Sequence, residues 1–240
     1  MVAEEFSWLA VVPSLVGGGI SAVTAVLMFS LAQRVDRKKR ESDAKKLSAV
    51  KAFSALQKIM HIANINENLA RQIDREFKDA SETREIHQVD PAHVVRPLIG
   101  APHDVERITP EEILFLAKSG NGDLIAEIWE IQQRTLNNDH LVKYFNELKT
   151  DYADFMESCA ESVQEMRPEG ATLELKGTQV FRAVSKTGRM NTVLVGLVSN
   201  LESDRVQSKS VVERFLSAAV AEFGSDFPAK TVEWKENAAS

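Results

Sequence analysis

The sequence predicts a mainly α-helical chain: one N-terminal transmembrane helix followed by an elongated cytoplasmic helical bundle with long antiparallel helices. Three observations carry that expectation. Residues 6–33 hold no charged side chain, a block of basic residues follows at once, and from Val35 to about Gln88 neither proline nor glycine interrupts an apolar repeat of three and four. Five segments result: a short extracytoplasmic N-terminus (1–7), the span (8–32), a basic juxtamembrane helix (33–51), a helical cytoplasmic domain (52–224) and a flexible tail (225–240).

The apolar part of the uncharged run, Trp8–Ala32, extends over 25 residues. At ~1.5 Å per residue this is about 38 Å of helix, against a hydrocarbon core of about 30 Å. Eleven of the 25 residues are Leu, Ile, Val or Phe. At roughly −0.3 to −0.6 kcal/mol each they contribute about −3 to −7 kcal/mol toward insertion. A cleaved secretory signal fits less well: the leading Met-Val-Ala-Glu-Glu is acidic and the apolar run is long. An interfacial helix needs a charged face, which this run lacks. Pro13 falls in the first turns, where it removes one backbone hydrogen bond at little cost.

Arg34, Arg37, Lys38, Lys39, Arg40, Lys45 and Lys46 follow the span and no Lys or Arg precedes it. By the positive-inside rule the N-terminus lies outside and the remainder in the cytoplasm of a single-pass cell-membrane protein. Residues 34–51 carry eight basic and three acidic side chains, and residues 52–240 carry 21 basic and 30 acidic. The basic block suits anionic inner-leaflet headgroups, at about 1 kcal/mol per cation near the surface. The acidic body argues against nucleic acid as a partner. Within the span, Ser14, Gly18 and Ala22 recur at four-residue spacing, a face on which helix backbones approach closely. Self-association through that face is an expectation.

The next helix carries Leu47, Val50, Phe53, Leu56, Ile59, Ala63, Asn66, Ile73 and Phe77, widened by Ile62, Ile65 and Leu69. A stripe that broad fits a bundle better than a two-stranded seam. One of Asn64, Asn66 and Asn68 would set register if buried. Residues 89–110 hold four of the seven prolines and read as a long surface loop. Thr109-Pro110-Glu111-Glu112 then signals a helix start, with a cap, a first-turn proline and a capping box, for a short helix 110–118.

From Asp123 apolar positions run to about Met166, with a phase shift at Asn137-Asn138-Asp139. A continuous helix is expected, running back antiparallel along the first. Residues 167–188 read as a glycine-punctuated connection in which a short strand near 172–176 has no partner. Helices near 189–202 and 207–223 follow, with Gly224 as C-terminal cap and Trp234 the tail's only large anchor.

The single cysteine, Cys159, excludes an intramolecular disulfide and reads as a small apolar residue. There is no P-loop, GxGxxG, HExxH or GxSxG pattern usable for chemistry; Gly17-Gly18-Gly19 lies in the span. The best chemical candidate is the proline loop, with His87, Asp90, His93, His103 and Asp104. Its spacing matches no metal motif, so no catalytic, metal or cofactor site is assigned. The expected function is that of a membrane-anchored interaction or scaffold protein, not an enzyme. The alternatives are a subunit of an oligomeric channel or secretion assembly and, further off, an enzyme working through the 87–104 loop.

Overall fold

The computed structural model describes residues 8–83, 90–98, 105–159, 163–167, 170–173, 175–232 and 234. Side chains before residue 28, that of Thr83 and those of the two strands fall outside this description. The chain divides into two compact units, Met1–Ala49 and Val50–Ser240.

Helix α1 is unbroken from Trp8 to Thr83. In the first unit Arg37 pairs with Glu41 (2.8 Å) and Arg40 with Asp36 (2.7 Å), each one turn apart and exposed. Such pairs support a helix by a few tenths of a kcal/mol. Among the described residues no helix is long and apolar enough to cross a membrane. Most of the predicted span, residues 8–27, lies where side chains are not described, so Trp8–Ala32 gains no support here.

The second unit is a helical bundle. Three long helices form it: residues 50–83 of α1, α4 (Gly122–Ser158) and α5 (Thr178–Phe223). The short helices α2 (Pro91–Val94) and α3 (Pro110–Lys118) belong to the connection between α1 and α4. Asn66 meets Thr135, and Ser54 meets Glu112 near the start of α4, so α1 and α4 run the same way. This corrects the antiparallel pairing expected from the sequence. α5 is the antiparallel partner of both: Arg134 and Asp151 of α4 meet Asp204 and Lys186, and Glu67 and Asp74 of α1 meet Lys209 and Arg205.

The parallel arrangement follows from what residues 89–110 do. They were expected to loop over the surface, yet Ala92, Val95, Leu98 and Ile108 are all buried. Arg96 reaches Glu76 late in α1, Leu98 pairs with Asn146 and Ile108 with Gln132. The described stretches 90–98 and 105–109 thus lie at opposite ends of the bundle, the second leading into α3, and α4 sets off again in the direction of α1. Buried backbone needs partners. Asn146 serves both the N–H and the C=O of Leu98, Asn191 accepts from the Ala92 N–H, and Lys149 donates to the Ala92 carbonyl.

α3 keeps the predicted bounds. Glu112 accepts from the Thr109 N–H (2.8 Å), closing that side of the capping box, and also takes Ser54 and Lys58 of α1. One carboxylate therefore caps a helix and fastens it to the bundle. Around it Phe115 stands edge-on to Phe215 (centroids 5.4 Å apart) and packs on Phe223 (5.1 Å). Phe227 completes this aromatic end against Phe53 and Phe223, so the segment after Gly224 is anchored by a buried Phe and not by Trp234 alone. At the other end Ile65, Leu69, Ile73, Val142, Phe145, Leu148, Met190, Leu194 and Leu197 enclose Ala92, Val95 and Leu98.

A polar layer lies along the helices between these apolar ends: Asn66, Thr135, Asn138, Asp204 and Ser208, each at most 1 % exposed. Asn66 exchanges hydrogen bonds with Thr135, and Asn138 donates to Asp204 (2.8 Å). α4 passes unbroken through residues 137–139, where the apolar stripe shifts phase. The shift marks the layer, not a turn. Asn66 is the buried member of the asparagine cluster, while Asn64 and Asn68 are exposed.

Three further boundaries differ from expectation. α4 stops at Ser158 instead of continuing to Met166, and Cys159 is buried just beyond it. Val163–Arg167 (β1) and Gly170–Leu173 (β2) form an antiparallel hairpin, which gives the expected lone strand a partner. The two C-terminal helices are one, α5. Its interior Gly188 costs about 1 kcal/mol in helix propensity, which burial of Ala183, Thr187, Met190 and Leu194 around it outweighs. Leu47 and Val50, assigned to the apolar stripe, are exposed; Leu56 and Ile59 of that stripe are buried, joined by Ala52 and Ala55.

Candidate functional site

The predicted site residues fall partly within and partly outside the described residues. Arg34, Arg37, Lys38, Lys39, Arg40, Lys45 and Lys46 are all exposed on α1. Arg37 and Arg40 hold their ion pairs, and the others extend into solvent. Ser14, Gly18 and Ala22 lie on α1, but their side chains are outside the described residues, and so are His87, His103 and Asp104.

Asp90 and His93 can be followed. Asp90 accepts from the Asn191 amide (3.2 Å) at the start of α2. His93 Nε2 shares a hydrogen bond with the Thr187 hydroxyl (3.1 Å), and its ring lies 4.9 Å from that of Tyr152. Burial holds its pKa below the ordinary histidine value; the nearby Lys149 ammonium adds to this, against a smaller opposing pull from Asp90. These effects favour the neutral imidazole, which packs between α4 and α5. No group of three or more metal-ligating side chains forms among the described residues.

The strongest electrostatic cluster is one the sequence did not single out. Glu67, on α1, takes Arg71 (2.7 Å), Arg205 (3.0 Å) and Lys209 (3.0 Å), and Arg205 also reaches Asp74 (3.3 Å). Burial raises the Glu67 pKa, but hydrogen bonds from Arg205, Lys209 and Arg71 together outweigh it and hold the carboxyl at about 2. A depressed carboxylate pKa stabilises the fold above the unfolded value near 4.5, and this contribution is lost as pH falls toward 2. The partner cations are about a third exposed or more, so we expect solvent screening to reduce it to about 1–2 kcal/mol. Urea unfolding between pH 7 and pH 3 should show a stability loss that is smaller in Glu67→Gln. An unchanged pH profile in that variant would contradict the assignment.

The outer faces of α4 and α5 form a second feature. Asp151, Asp154, Phe155, Phe181, Arg182, Ser185, Lys186 and Arg189 line one open groove of about 560 Å3. Lys186 pairs with Asp151, and its ammonium lies 5.7 Å from the centre of the Phe155 ring. Phe181 is 76 % exposed and the adjoining Val184 65 %. Periodicity marks neither as unusual, because this stretch reads as a connection until α5 is seen to begin at Thr178.

Comparison with protein-family models, curated proteins and solved structures found no match. The functional reading therefore rests on the residues themselves.

Proposed function

We propose that this chain is a membrane-tethered helical interaction protein: a single-pass anchor over Trp8–Ala32, N-terminus outside, carrying a cytoplasmic bundle that binds other proteins. The observation behind the tether is the uncharged 25-residue run followed directly by seven Lys and Arg within one helix. A helix needs about 20 apolar residues to cross a bilayer, and the flanking cations set its direction. The exposure of those seven side chains supports their access to anionic headgroups.

Interaction rather than catalysis is supported by how the polar side chains are used. His93 is packed on Tyr152 and hydrogen-bonded to Thr187; Asn146, Asn191 and Lys149 satisfy the backbone of the proline segment. The bundle leaves large apolar side chains in solvent at Phe181 and Val184, the kind of patch that marks a contact surface. A C-terminal reporter on the full-length chain should be active in its cytoplasmic form and silent in its extracytoplasmic form. The reverse pattern would overturn the proposed topology.

A further inference from the structure

We propose that the α4–α5 groove is a self-association surface, occupied by the same groove of a second copy about a two-fold axis parallel to the helices. This deepens the interaction reading by naming the partner, and it does not depend on the tether. Three observations carry it.

The groove is open and holds two aromatic side chains. Phe181 stands on α5 with most of its surface in water and Phe155 lines the groove from α4; Val184, one turn beyond Phe181, is exposed beside it. Aromatic anchors at the centre of a contact dominate its affinity.

The two rims carry opposite charge. Asp151 and Asp154 stand on α4; Arg182 and Arg189 stand on α5. Lys186 is engaged by Asp151, but among the described residues Asp154, Arg182 and Arg189 form no ion pair. All three are exposed.

The pattern is self-complementary in one orientation. In a two-fold contact the same patch serves both subunits. A two-fold axis running along the helices carries the acidic α4 rim of one copy onto the basic α5 rim of the other, twice. An axis perpendicular to the helices in the plane of the contact would set Asp154 against Asp154 and the arginines against each other, a like-charge arrangement that is disfavoured. The charge layout therefore selects parallel copies, with α5 of both pointing the same way.

The test uses full-length protein in mild detergent, with oligomeric state read by size-exclusion chromatography and light scattering. Wild type should be dimeric, and Phe181→Glu should weaken the dimer by about tenfold or more. Asp154→Arg alone, and Arg182→Glu with Arg189→Glu in another chain, should each be monomeric. Co-expressed with different tags, these two variants should purify together, because each rim then meets its opposite across the contact. All four positions are exposed, so helicity by circular dichroism should match wild type. A monomeric wild type, a dimer indifferent to these substitutions, or charge variants that fail to associate would each overturn the proposal. A monomer that still sediments with membranes would do so while leaving the tether intact. A dimer that survives Phe181→Glu would point instead to the Ser14, Gly18 and Ala22 face.

Discussion

Phe215→Ala should destabilise the bundle by about 3–5 kcal/mol, the range for removing a fully buried aromatic side chain. Phe215 is completely buried on α5 and stands edge-on to Phe115, so the change empties the centre of the aromatic end and also removes a ring contact. The neighbours cannot readily collapse into the space. Phe115 is tied to α3, whose first turn Glu112 fastens to Ser54 and Lys58, and Phe223 is held by Phe227. Urea unfolding followed by circular dichroism measures this directly. Since small domains are stable by only about 5–15 kcal/mol, the variant should unfold at much lower denaturant. A loss below about 1 kcal/mol would mean that the α3 end is not packed as described.

Ile20→Arg together with Val23→Arg should release the chain from membranes. Each arginine near the middle of a span costs about 2.5–3.5 kcal/mol, and each replaced apolar residue forfeits roughly 0.3–0.6 kcal/mol. The pair thus opposes insertion by about 6–8 kcal/mol, against the −3 to −7 kcal/mol that the eleven large apolar residues contribute. Fractionation of cells expressing the double variant should show it in the supernatant or degraded. Retention in the membrane pellet at the wild-type level would mean that something other than Trp8–Ala32 holds the chain there.

What the sequence revealed and what it concealed follow from the range of the forces involved. Local signals were legible. Thr109, Pro110 and Glu112 give the start of α3 because capping chemistry acts within four residues. The repeat through Asn137-Asn138-Asp139 gives a continuous α4 because no helix breaker is present. Asn66 was already a candidate for burial. Long-range pairing was concealed. Four prolines in residues 89–110 report that the segment is not one helix, but not whether residues such as Ala92, Val95, Leu98 and Ile108 stay on the surface or pack into the bundle. That depends on Asn146, Lys149 and Asn191, which sit 48 to 99 residues from the backbone groups they satisfy. The same distance hid the parallel course of α1 and α4. Gly188 suggested a break where α5 continues, because a helix-breaking preference of about 1 kcal/mol is outweighed by a buried face. The hairpin was missed because a strand is recognised by its partner, and Val163–Arg167 continued the helical repeat of α4.

The groove beside Phe181 was invisible for a related reason. Asp154 and Arg182 are 28 positions apart in the chain, and only the antiparallel packing of α4 on α5 brings their rims together. The Glu67 cluster likewise needs Arg205 and Lys209, more than 130 residues away. Charge counts located the basic block at 34–51, where like charges are neighbours in sequence, but not clusters assembled by folding.

Membrane fractionation of the wild-type, full-length chain bears most directly on the tether. Membranes are pelleted and then washed at alkaline pH and high salt, which strips proteins held only by surface charge or by other proteins. With Trp8–Ala32 in the hydrocarbon, the chain should stay in the pellet through both washes and dissolve only with detergent. Recovery in the supernatant without detergent would contradict the tether and assign that helix to a protein interior instead.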